Sequence, residues 1–160
     1  MSTSGSRRHV LTLLAAWAVA ASLAKIAAAA STGFPAQHLP LAPVNGEPLA
    51  SGFVEVIHPN GPEIYSRHEY ALNGAEENAS YEVVISIWTT NLTCSGAPLV
   101  VIPAAVLVTN SSGNGHASVV HTPEQLVALG IRGLTIGGQV TMLREGTPAY
   151  TTGCRVIELD

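Results

Sequence analysis

YEVVISIW, residues 81–88, sets Tyr81, Val83, Ile85 and Ile87 on one side of an extended chain and Glu82, Val84, Ser86 and Trp88 on the other. Both sides are largely apolar and the middle of the run is β-branched, so the stretch is expected as a central strand, flanked by neighbours on either edge. The fold class follows from finding the same signature repeatedly, at short intervals, in both directions.

Toward the C-terminus, APLVVIPAAVLVT (97–109) is apolar throughout. Pro98, Pro103 and the valines favour strand over buried helix, and Pro103, which cannot donate a ladder hydrogen bond, is expected to mark a bulge or to split the run. NSSGNG (110–115) then reverses the chain with residues that tolerate positive φ, and HASVV (116–120) returns as a strand. Thr122-Pro123-Glu124-Gln125 has the pattern of a capping box, with threonine at the N-cap and proline at the first helical position; Gly130 closes a helix of about two turns. Beyond it lie LTIGGQVTML (134–143) and YTTGCRVIEL (150–159), joined through Gly146 and Pro148.

Toward the N-terminus, SGFVEVIH (51–58) and EIYSRHEYAL (63–72) flank PNGP, whose Asn60-Gly61 pair suits a tight hairpin turn. The two-residue period puts Ile64, Ser66, His68, Tyr70 and Leu72 on one face. Taken together the runs predict an all-β chain: an antiparallel immunoglobulin-like β-sandwich of about seven to eight strands with one short helix.

The first thirty residues differ from the rest. Arg7-Arg8, an uncharged run from Val10 to Ala24 and the alanine tract ending at Ala30 compose a secretory signal peptide over 1–30. Its Ser-Arg-Arg opening also resembles a twin-arginine export signal. Residues 31–48, with Pro35, Pro40, Pro43 and Pro48, are expected as a Pro-rich extended arm or linker, leaving 49–160 as the sandwich domain. The expected destination is periplasmic or extracellular.

From Ser31 onward the chain has four arginines, no lysine and eleven carboxylates, a formal charge of −7 with histidines neutral. Nucleic acid and anionic membrane both need clustered cations, so neither is an expected partner once the signal is removed; a protein or carbohydrate ligand is. Cys94 and Cys154, an even pair in an exported chain, are expected to form a disulfide.

Catalytic signatures are sparse. There is no G-x-S-x-G elbow, and the only aspartate is Asp160. A phosphate loop needs a lysine that this part of the chain lacks, and NSSGNG holds no carboxylate for calcium, so no cofactor is expected. The chain reads as a non-catalytic binding or structural protein. The alternative is a copper or zinc protein using His58, His68 and His116, since imidazoles at strand ends are the ligands such metals take. His116 and His121, five apart on one strand, should point to opposite faces. Tyr65 and Trp88 are the candidates for an aromatic ligand platform.

ALNGAEENASYEVVISIW (71–88) followed by VTNSSGNGHASV (108–119) resembles bacterial exported β-sandwich domains of immunoglobulin-like type, including chordin-type (CHRD) modules, and more distantly the copper/zinc superoxide dismutase sandwich. The resemblance implies the sandwich. It does not imply dismutase activity, because the His-x-His pair and the metal-bridging histidine of that family are not present here.

Overall fold

A computed structural model of the chain describes residues 36–59 and 63–159. The expected signal peptide, the start of the arm and the Asn60-Gly61 turn lie outside the described residues. The described residues form nine strands and one helix: β1 (Ala36–Pro43), β2 (Ser51–Ile57), β3 (Ser66–Asn73), β4 (Ser80–Trp88), β5 (Val100–Val108), β6 (Gly115–His121), α1 (Pro123–Ala128), β7 (Thr135–Arg144), β8 (Thr147–Thr152) and β9 (Arg155–Glu158). All pairings are antiparallel, in the order β5-β4-β7-β8-β1-β2-β3-β6, with β9 also on β7. The all-β class and the single short helix are as expected. The strands form one continuous antiparallel ladder, nearly barrel-shaped, in which β1 joins the group β2-β3-β6 to the group β8-β7-β4-β5; its ends β5 and β6 approach each other without pairing.

β1 is the strand that makes the sheet continuous. Its first half pairs with β2, Leu39 opposite Val54, and its second half with β8, Leu41 opposite Thr152. Pro40, which lacks an N–H, sits where the partner changes. Ala36–Pro43, within the segment expected as an arm, is therefore a strand, because the alternation of Leu39 and Leu41 with polar or small residues buries one face, and β1's prolines fall at exposed positions.

β4 is central, with β5 on one edge and β7 on the other. The bulge foreseen near Pro103 is present: Val83 faces Ala105 but Val84 faces Pro103, so Ala104 is the extra residue. One added residue reverses the parity of the strand. That is why both Ala105 and Ile102, three apart, turn inward opposite Val83 and Ile85.

The reversal between β5 and β6 is organised by Asn110, whose Oδ1 accepts the N–H groups of Ser112 (2.9 Å) and Asn114 (3.0 Å). Gly113 adopts φ +70°, and a Cβ there would land on the Ala75 carbonyl, so glycine is required on two counts. Gly115 is needed for closeness alone, since a side chain would strike Leu107 and the Val108 carbonyl where β5 and β6 come together.

The capping box forms, with the Thr122 N–H donating to Gln125 Oε1 at 2.9 Å and Pro123 opening α1. The run expected as a single last strand is broken at Gly153-Cys154 into β8 and β9, both on the same edge of β7. Cys154 in that break is disulfide-bonded to Cys94 in the β4–β5 loop, with Cα atoms 5.7 Å apart.

Curling brings β1, β2 and β3 over β4, β5, β7 and β8. Tyr70, Leu72, Val54, Tyr81, Val83, Leu107, Met142 and Tyr150, all at or below 1 % exposure, fill the space between them. A second cluster, made of Tyr65, Ile87, Leu126, Ile131, Ile136 and Leu159, packs around α1.

Candidate binding cavity

Between these two clusters lies a cavity of about 400 Å³ whose walls include Leu39, Val56 and Val140 from the first and Ile87, Leu126 and Ile136 from the second. Its size is that of a small-molecule site. Both edge strands of the sheet contribute to its lining. Ile102 on β5 and Val119 and His121 on β6 face inward yet remain partly exposed, although near the Asn110 reversal the same two strands close tightly over buried Leu107.

The polar groups of the cavity come from the two-residue period of three chain segments. On β3, Ser66 and His68 face the same way as core residues Tyr70 and Leu72, as the sequence pattern predicts. His68 pairs with Val56 on β2 and with Val119 on β6. His58, two residues past Val56, shares that face, and so does His121, two residues past Val119 and opposite Ser66. The structure thus assembles His58, His68 and His121.

The rings of His68 and His121 meet edge to face with centroids 4.9 Å apart, and His58 meets Tyr65 in the same way at 5.6 Å. His68 Nδ1 shares a hydrogen bond with the Tyr70 hydroxyl at 3.3 Å. The Tyr65 N–H donates to the His121 carbonyl at 2.8 Å, fixing the start of β3 against the end of β6. His121 Nε2 is buried and has no hydrogen-bond partner among the described residues.

Burial chiefly, and then the neighbouring His121 and His58, push the His68 pKa down to about 3. Burial lowers that of His121 too. Both imidazoles are therefore neutral at pH 7. Tyr70 is shifted upward by burial and stays a phenol able to donate.

The metal trio read from the sequence is not brought together. His116 points outward from β6, where its Nε2 lies 3.0 Å from Glu69 Oε2 on the exterior; Glu69 also holds Arg67 at 2.6 Å. His121 takes the third place, and His116 and His121 do occupy opposite faces. Among the described residues, no three of His, Cys, Asp and Glu are placed to hold one metal ion. Tyr65 lines the cavity, whereas Trp88 is buried elsewhere, donating its Nε1 hydrogen to the Gly96 carbonyl at 3.1 Å, so the two do not form one platform. His121 was missed because its role depends on β6 pairing with β3 instead of β5. Parity alone placed it on a face, and only the strand order says which neighbours that face has.

Comparison of the chain with protein-family models, with curated proteins and with solved structures returns no match.

Proposed function

We propose that the protein is an exported, soluble, non-catalytic binding protein, periplasmic or extracellular, that holds a small and mainly apolar molecule inside its curled sheet. The cavity of about 400 Å³, apolar in its walls and lined in part by the unpaired edge strands β5 and β6, is the observation that carries this reading. A protein or carbohydrate partner would use an exterior surface; an interior lined by Leu, Val and Ile suits a small apolar guest better. The non-catalytic reading rests on the lining: no carboxylate stands among the described lining residues to orient the histidines as a general base. The leader and the acidic composition support export and argue against nucleic acid. No helix among the described residues is long and apolar enough to cross a membrane. The chordin-type resemblance belongs to this proposal for architecture alone, as two faces of one curled sheet packed across a common core.

The test is titration with the neutral fluorophore N-phenyl-1-naphthylamine. The expected result is saturable enhancement at one site per chain with a Kd near or below ~10 μM, an affinity within reach of a ligand of this size. Val119→Trp, which projects bulk into the seam, should weaken binding at least about tenfold with the fold intact. Enhancement that never saturates, or that Val119→Trp leaves unchanged, would overturn the reading.

A further inference from the structure

We infer that the ligand is a small amphipathic monocarboxylic acid, its apolar tail among the aliphatic walls and its carboxyl group at His68 and His121; this rests on the binding cavity proposed above.

The charge placement runs against the composition. From Ser31 onward carboxylates outnumber arginines eleven to four, yet the ionisable side chains that line the cavity are three histidines, Tyr65 and Arg155, with no aspartate or glutamate among the described residues. The groups facing His68 are His121 from β6, His58 beyond β2 and Tyr70 from β3 itself; Tyr65 and Arg155 of β9 line the same space. Glu69, next to His68 in sequence, is turned to the exterior with Arg67 and His116. An ammonium ligand would meet imidazoles and a guanidinium with no counter-charge. An anion meets one guanidinium and imidazole nitrogens that can share a proton with it.

His121 Nε2 supplies the second observation. A buried ring nitrogen with no partner among the described residues keeps its desolvation penalty until something bonds to it. A carboxyl group brings two oxygens and one exchangeable proton, enough to engage two adjacent imidazoles, where an alcohol brings one oxygen. Because the imidazoles are neutral at pH 7, a carboxylate entering from solvent gains most when one proton enters with it, shared between the carboxyl oxygen and an imidazole nitrogen. The volume of about 400 Å³ corresponds to roughly thirteen water volumes of ~30 Å³, so an acid of about ten carbons is the size that fits.

Calorimetric titration with decanoate, decan-1-ol and decyltrimethylammonium, at pH 7.5 and 6.5 in buffers of different ionisation enthalpy, tests the inference. Decanoate should bind at least about tenfold tighter than decan-1-ol at pH 6.5, gain about tenfold for the one-unit fall in pH, and take up one proton. Decyltrimethylammonium should not bind. His68→Gln, or His121→Gln should the first fold poorly, is expected to level acid and alcohol and to abolish the proton uptake. If acid and alcohol bind alike with no proton uptake, the carboxylate assignment is wrong and the cavity reading survives. If neither these compounds nor the naphthylamine binds, the cavity reading fails and this inference fails with it.

Discussion

Replacing Cys94 and Cys154 together by serine is expected to lower the unfolding free energy by about 4 kcal/mol, because the bond closes a loop with a sequence separation of 60 and so removes that loop's entropy from the unfolded chain. A domain of this size has ~5–15 kcal/mol in all, so the loss takes a large share of it. The bond also has a local task. It ties the β4–β5 loop to the Gly153-Cys154 break, where the edge of β7 passes from β8 to β9 and ladder hydrogen bonds are interrupted. Urea unfolding of the double variant beside the native protein checks the prediction; a difference under about 1 kcal/mol would show that the staple contributes little.

Acidification from pH 7 to pH 5 should cost the protein about 2 kcal/mol through His68 alone. In the unfolded chain that imidazole takes a proton below about pH 6.5, whereas in the folded protein burial and the two neighbouring histidines hold it neutral down to about 3. The unfolded state therefore binds more protons in this window, and stability, complete above the unfolded value, declines as pH falls from 6.5 toward 3. His121, shifted the same way by burial, adds to the decline. Carboxylates titrate mainly lower, so the interval between pH 7 and 5 isolates the histidines. In His68→Gln the loss over that interval should shrink by about 2 kcal/mol. An unchanged pH slope in the variant would mean that His68 is not held neutral.

Much of the sheet was legible in the chain because burial on one face imposes a period of two. The inward turn of Ser66, His68, Tyr70 and Leu72, though not of exposed Ile64 before β3, the two-sided burial of β4, the bulge beside Pro103 and the capping box at Thr122 are local consequences of side-chain size, branching or missing donors. β1 was not legible. Its prolines carry the signature of a linker, and only the partners on both sides reveal that exposed positions in an exchanging strand tolerate them. The break at Gly153-Cys154 was equally hidden, since strand-forming residues continue on both sides of it. The site was half visible: the candidate trio contains His58 and His68, but has His116 where the cavity has His121. Choosing correctly required knowing that β6 crosses to β3 and leaves an unpaired seam against β5.

The central claim is that an apolar guest enters between the two halves of the curled sheet. Methyl-resolved NMR on isotope-labelled protein with decan-1-ol added reads this most directly. Cross-relaxation from the alkyl chain should reach methyl groups of Ile87, Ile102 and Val119, which line the cavity, and leave the outward-facing Val101, Val106 and Val108 of β5 unaffected. Contacts confined to those exterior valines, or none at all, would contradict the account.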